Sequence, residues 1–172
     1  MKSIAIIPAR GGSKRIPRKN CKLFHGKPII AYSIEAALES KLYDEVIVST
    51  DDKEIAEIAI KYGAKVPFFR SYKNSNDFAT TVDVLFEVLD WYKNKNISFE
   101  FATCIYACAQ FVSSNLLAQS IYKLEATKCD CVFPILAYSH PIQRAFKIES
   151  SGIISVFDEN LPNARTQDLE KA

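Results

Sequence analysis

The chain has 172 residues, 48% hydrophobic and 24% charged, with a net charge of +2, which is the size and balance of one globular domain that buries a real core. The charge is uneven: residues 1–34 hold eight Lys or Arg and no Asp or Glu, which against the total leaves the remainder at −6. A patch this local suits a phosphate or carboxylate ligand and argues against the broad basic face of a nucleic-acid binder, while no window approaches the roughly 18 apolar residues of a membrane span.

The opening apolar run is too short for a signal peptide, so the expected compartment is the cytoplasm. Five cysteines, an odd number in apolar surroundings, fit a reduced compartment better than a disulfide framework. Cys104 and Cys108 in one strand would stand about 13 Å apart, too far to share a metal ion. Cys129 and Cys131 could face the same way, but two further ligands are not evident.

In chain order, "SIAII" at 3–7 reads as a strand buried on both faces, bounded by Pro8 and Gly11. The loop "PARGGSKRIPRKN" at 8–20 follows. "KPIIAYSIEAALES" places Ile30, Ile34, Ala37 and Leu38 on one helical face, and "DEVIVST" is a second strand. Asp51 with Glu54 has capping-box spacing ahead of a helix that runs through Ile55, Ile58 and Tyr62 to Gly63. "KVPFF" is a short strand, "RSYKNSNDFATT" a polar loop, and a helix follows with Leu85, Val88, Leu89 and Tyr92 on its apolar face. The strand "FATCIYA", a helix from near Ser113 and the strand "DCVFPIL" complete the regular part. "RAFKIESSGIISVF" then reads as a hairpin turning at Ser151-Gly152.

This alternation predicts an α/β fold, a mostly parallel doubly wound sheet with helices on both faces. Ligands of such sheets sit beyond the carboxyl ends of the strands. The loops that matter are therefore "PARGGSKRIPRKN", "STDD", "RSYKNSNDFATT" and "YACAQF". The first carries neither the G-x-G-x-x-G fingerprint nor a P-loop. Its glycines let backbone N–H groups approach an anion, and Arg10, Lys14, Arg15 and Lys19 add the charge a triphosphate needs. Asp51 and Asp52 invite a metal reading, but capping alone accounts for Asp51. Capping likewise competes with ligand contact for Asp77 and for Thr80 or Thr81.

Four blocks, "IIPARGGSKRIPRKN" at 6–20, "GKPIIAYSIEAAL" at 26–38, "DEVIVSTDDKEIAEIA" at 44–59 and "RTQDL" at 165–169, resemble the cytidylyltransferases that activate nonulosonic acids, the pseudaminic acid branch most of all. The resemblance implies a nucleotide-diphosphosugar transferase (Rossmann-like) fold in a single domain over 1–172. It also implies the reaction of CTP with a nonulosonic acid to give a CMP-sugar and pyrophosphate, for surface glycan or flagellin glycosylation. By that resemblance Arg10, Gly11, Gly12, Ser13, Lys14 and Lys19 cradle the triphosphate and Asn20 lies near the nucleotide, whereas Arg15 and Arg18 are rim charges. Arg70, seven residues before Asp77, with Ala79 and Thr81, matches the family's cytosine and ribose contacts. Arg165 and Gln167 match its sugar-side motif, where a guanidinium can hold a carboxylate in a fork. His140 and Tyr106 fall on its substrate side.

Two departures stand out. After the fourth strand the chain has Tyr106-Ala107-Cys108-Ala109-Gln110 where Thr and Pro are expected at 108 and 110, which removes a hydroxyl donor and a rigid turn. The chain also stops at Lys171-Ala172 just after "RTQDL". The family's last strands and the aspartates that bind its Mg²⁺ are expected beyond that point, so no metal ligand is assigned within the chain. Homodimerisation through an excursion at 138–162 is implied as well. The rival readings are a truncated, non-catalytic nucleotide binder and a cytidylyltransferase for sialic acid or a related keto-sugar acid.

Overall fold

The computed structural model describes residues 2–138 and 142–157. It divides into two compact units, Met1–Asp130 and Cys131–Ala172. His140, Arg165 and Gln167 lie outside the described residues.

The first unit is built on three parallel strands, β1 (Ser3–Pro8), β4 (Glu45–Ser49) and β5 (Phe101–Cys104), in the order β4-β1-β5. The central strand registers Ile4 with Glu45 and Pro8 with Ser49 on one side, and Ser3 with Phe101 and Ile6 with Cys104 on the other. Between β1 and β4 lie a 3₁₀ turn (Lys19–Cys21), the small hairpin β2 (Leu23–Phe24) and β3 (Lys27–Pro28), and α1 (Ile29–Ser40). α2 (Lys53–Lys61), α3 (Tyr72–Ser75) and α4 (Thr81–Lys93) connect β4 to β5, and α5 (Ser114–Thr127) follows β5.

Because successive strand side chains point to opposite faces, β1 serves two cores. Ala5 and Ile7 pack with Ile30 and Ile34 of α1, Ile55 and Ala59 of α2, Val46, Val48, and Leu117 of α5. Ile4 and Ile6 face the other way, onto Ile47 and onto Val88 and Tyr92 of α4, with the Phe68 and Trp91 rings stacked at 5.3 Å beside them. Helices therefore cover both faces, as the continuous apolar run predicts. Leu38, expected on the buried face of α1, is 40% exposed near the end of that helix.

Three sequence expectations shift. "KVPFF" touches β4 only through isolated bridges, Ile47 with Lys65 and Thr50 with Phe69, because Pro67 between them has no N–H to give a ladder. Asp52 rather than Asp51 caps α2, accepting the Ile55 N–H at 3.0 Å. The cap therefore falls one residue later than the Asp51–Glu54 spacing suggests. "DCVFPIL" forms no strand. Pro134 interrupts that apolar run, removing a donor and restricting Phe133. Other boundaries hold: Gly63 ends the α2 segment at φ +93°, and Ser113 caps α5.

In the second unit β6 (Phe146–Ile148) pairs antiparallel with β7 (Ile154–Val156), turning through Gly152 at φ +81°. Among the described residues no helix is long and apolar enough to cross a membrane.

Candidate functional site

The carboxyl ends of β1 and β4 release their loops side by side. The Ala9 N–H donates to the Ser49 carbonyl at 2.9 Å, which carries the pairing one residue past β1. Gly11 then lies directly against the β4 loop. Its N–H donates to Asp51 Oδ1 at 2.9 Å, and a Cβ on Gly11 would stand 2.6 Å from Asp52 Oδ2. Only glycine fits this approach, because contacts below 3.0 Å force something to move. Gly12 faces open space.

The cations of the loop divide into two groups. Arg10 and Lys14 converge on Asp77 from the third loop, with Arg10 Nη1 at 2.8 Å from Asp77 Oδ1 and Lys14 Nζ paired to Oδ2. Arg10 also donates to the Asn76 carbonyl at 3.0 Å. Lys14 first and Arg10 second hold the Asp77 carboxyl below the usual carboxylate range. Asn76 Oδ1 shapes the turn that presents Asp77, accepting the N–H groups of Phe78 at 2.7 Å and Ala79 at 3.0 Å. Lys19 and Arg15 are exposed.

Arg18, its side chain 42% exposed, points the other way. It adopts φ +55°, its Nη2 donates to Asp52 Oδ1 at 2.9 Å while Nη1 takes Oδ2, and Nη2 also reaches Glu54. This pairing is the main reason the Asp52 carboxyl sits below its ordinary range.

Asn20 is 6% exposed, and its amide donates to the Arg10 carbonyl at 3.0 Å. The Cys108 thiol donates to Asn20 Oδ1 at 3.5 Å, and burial pushes that thiol's pKa up, so it stays a protonated donor. Position 108, where a hydroxyl was expected, thus carries a weaker donor with an inward partner. Gln110, the other departure, buries its Oε1 with no hydrogen-bond partner among the described residues.

Arg70 is 7% exposed and folded onto β4, Nε to Ser49 Oγ at 3.1 Å and Nη2 to the Ser49 carbonyl. Burial lowers its pKa, and Asp51 and Glu87 oppose that shift. Thr80 rather than Thr81 caps α4, with a reciprocal Asp83 bond. Thr81 is left facing Tyr106, hydroxyl to hydroxyl at 3.3 Å, which joins the third loop to the fourth. Tyr106 is anchored by its carbonyl, which accepts from the buried Ser33 at 2.9 Å.

Arg10, Gly11, Lys14, Asn20, Asp77, Thr81 and Tyr106 therefore gather at the carboxyl ends of three neighbouring strands, with Ser13, Gly12 and Lys19 on the same loop as Arg10 and Ala79 beside Asp77. Arg18, expected only as a rim charge, Asp52, weighed only for a metal, and Glu54, read only for capping, join this group through their mutual pairing. The one available signal was the tandem "DD" directly after a strand facing a glycine loop.

The described carboxylates of the site are already engaged: Asp51 with Gly11, Asp52 and Glu54 with Arg18, and Asp77 with Arg10 and Lys14. Among the described residues no three His, Cys, Asp or Glu gather as a metal site. These residues do not fit a resident Mg²⁺.

Comparison with known proteins adds the identity of the fold and its chemistry. The sequence profile of the cytidylyltransferases matches residues 4–151. The chain is 44% identical over all 172 of its residues to a pseudaminic acid cytidylyltransferase of Campylobacter jejuni, spanning 74% of that relative. It is 36% identical over 137 residues, 78% of this chain and 59% of the relative, to a CMP-N,N'-diacetyllegionaminic acid synthase of Legionella pneumophila. Among solved structures, CMP:2-keto-3-deoxy-manno-octonic acid synthetase complexed with CTP superposes with a TM-score of 0.62 at 25% identity, over 75% of this chain and 49% of that one. A basic glycine loop at the end of the central parallel strand, together with this match across the whole sequence, places the chain in the family of CTP-dependent cytidylyltransferases.

Proposed function

We propose that the protein joins CTP to a nonulosonic acid, with pseudaminic acid as the favoured substrate, and releases pyrophosphate. The observation that carries this reading is the 44% identity to the Campylobacter enzyme over the full 172 residues. The anomeric hydroxyl oxygen forms a bond to the α-phosphorus as the bond to pyrophosphate breaks. Pyrophosphate leaves with the electron pair, and the hydroxyl proton goes to solvent. Such a reaction needs in-line positioning and neutralised charge more than covalent help from the protein.

The residues divide accordingly. Arg10, Lys14 and Lys19 neutralise the phosphates and the backbone N–H of Gly12 approaches them, while the Ser13 N–H, which donates to the Gly11 carbonyl at 2.9 Å, tightens the turn of the cradle. Gly11 supports the loop, since its own N–H is spent on Asp51. Asp77 holds the cations in the free protein and yields them to the phosphates. Asn20, Arg70, Ala79 and Thr81 frame the nucleoside. Tyr106, His140, Arg165 and Gln167 serve the sugar, Arg165 through recognition of its carboxylate. The described carboxylates, spent in the free protein on Gly11, Arg18, Arg10 and Lys14, do not form a site for Mg²⁺. Self-association would use the 138–162 segment, where Phe146, Ile148 and Ile154 expose apolar area on a two-stranded hairpin.

The test is pyrophosphate release from CTP with pseudaminic acid and then with sialic acid, beside protection against heat by CTP, UTP and GTP. Release with pseudaminic acid and selective protection by CTP are expected. Equal protection by all three nucleotides would refute the cytidine assignment. A second reading, CTP binding without turnover, is favoured by the engaged carboxylates. CTP binding with no pyrophosphate released at high protein concentration would establish it.

A further inference from the structure

Of the basic residues in the 8–20 loop, Arg18 is the one whose side chain is directed into the protein's own acidic turn, and its neighbours explain why. Asp52 is enclosed from two sides of the same loop. Gly11 lies against its Cβ and Oδ2 with room for no side chain, and the Arg18 guanidinium closes on both carboxylate oxygens. Asp52 Oδ1 also caps α2 through the Ile55 N–H. The loop from Gly11 to Arg18 thus makes a circuit around one carboxylate that is fixed to the start of a helix. Glu54 is the second acid on the Arg18 fork, and Cys21 Sγ lies 3.8 Å from Nη2.

Two consequences follow from chemistry alone. A planar fork that binds one carboxylate through two nitrogens fixes orientation as well as charge, which a lysine ammonium cannot do. Without that fork, Asp52 and Glu54 become uncompensated negative charges beside a loop whose task is to receive a triphosphate, and at this range they repel it. We infer that Arg18 is a positioning residue of the nucleotide site: its fork on Asp52 and Glu54 holds the phosphate loop in register and screens those two acids from the nucleotide. The inference rests on the CTP reading above, and nothing in it requires Arg18 to touch the ligand.

The experiment is isothermal titration of the whole chain with CTP and, separately, with inorganic pyrophosphate, comparing Arg18→Lys, Arg18→Ala, Arg15→Ala and Arg18→Ala/Glu54→Gln. Arg15→Ala removes the same formal charge from an exposed position. The expected result is a Kd for CTP raised roughly tenfold in Arg18→Ala, the size of one lost charge-assisted contact. Arg15→Ala should rise only about twofold, as for an exposed charge. Arg18→Lys keeps the charge and should still lose most of the effect. Arg18→Ala/Glu54→Gln should recover part of the affinity, which a residue that merely stabilised the fold would not allow. Equal losses in Arg18→Ala and Arg15→Ala would return Arg18 to a rim charge and overturn the inference. Should Arg18→Ala fail to fold, the decision passes to Arg18→Lys, where wild-type affinity would overturn it. If the unsubstituted chain binds neither CTP nor pyrophosphate, the reading of the site fails first, a result distinguishable from wild-type binding that the Arg18 variants leave unchanged.

Discussion

Substituting Gly11 by Ala places a methyl group 2.6 Å from Asp52 Oδ2, 2.9 Å from its Cβ and 3.1 Å from its Cγ. Ordinary contact begins near 3.4 Å, so loop and turn must separate by several tenths of an ångström. Asp52 is a poor candidate to move. It caps α2 and is held by Arg18, so the displacement falls on the loop and on the Gly11 N–H bond to Asp51. Overpacking of this kind costs about 1–3 kcal/mol, and for a domain of this length each kcal/mol lowers Tm by about 2–4 °C. Binding should suffer more than stability, because shifting a positioned group by about 1 Å can cost about a hundredfold. Gly12→Ala is the internal control, since nothing lies within 4 Å of its added methyl. The assays are thermal unfolding without ligand and CTP titration. The expected outcome is a Tm lowered in Gly11→Ala and unchanged in Gly12→Ala, with CTP affinity reduced at least tenfold in the former. Equal Tm values for the two variants would refute the close approach of Gly11 to the acidic turn.

Further outcomes follow from the same structure. Asp77→Asn frees Arg10 and Lys14 from their internal anion, so pyrophosphate should bind about two- to fivefold more tightly, as for loss of an exposed competing pair, with the gain shrinking in high salt; weaker binding measured by titration would instead make Asp77 a support for those cations. Burial, with Glu45 close by, pushes the Tyr92 hydroxyl up to about 12. Its folded pKa lies above the unfolded value, so the stability it contributes is complete below about pH 10 and is lost as pH rises toward 12. Tyr92→Phe should therefore flatten the alkaline limb of a stability-versus-pH curve, and an unaltered limb would count against the shift. Asp52 has the opposite sign: its folded pKa is depressed, so its contribution holds above its ordinary range near 4 and disappears as pH falls through the lowered value. Asp52→Asn should weaken the acid limb of the same curve. Ile34→Ala, at a site with no exposure, should cost about 2–5 kcal/mol in chemical denaturation with the CTP site intact.

The strands and helices that carry the site were readable because each has one physical signature. "SIAII" is apolar without alternation, and β1 is buried on both faces; Ile55, Ile58 and Tyr62 recur at helical spacing, and all three pack into the core, Ile55 fully and the other two in part. The order β4-β1-β5 was not readable, since parallel neighbours are joined by crossovers rather than turns. Within the site, the resemblance set Arg18 apart from Arg10 and Lys14, but the partners of neither were readable. A run of cations looks uniformly solvated until the opposing carboxylates, Asp77 for one group and Asp52 with Glu54 for the other, are located. The cap moved from Asp51 to Asp52 for a similar reason. Cap position depends on where the strand stops pairing, and a one-residue difference there sends one carboxylate to the helix and the other to Gly11. Thr80 and Thr81 divide in the same way, one into the cap and one toward Tyr106.

The dependence of Gly11 and Arg18 on Asp51 and Asp52 sets what can be transplanted. A protein engineer who grafted residues 9–20 alone onto another parallel sheet would move a self-repelling cationic ribbon without the surface that shapes it. The portable unit is the loop together with residues 49–54, a pair of segments forty residues apart in sequence that behave as one part. The same linkage predicts how variation accumulates: a side chain gained at position 11 is tolerated only when the acidic turn retreats with it, and an acid lost at 52 makes the arginine at 18 a stray charge.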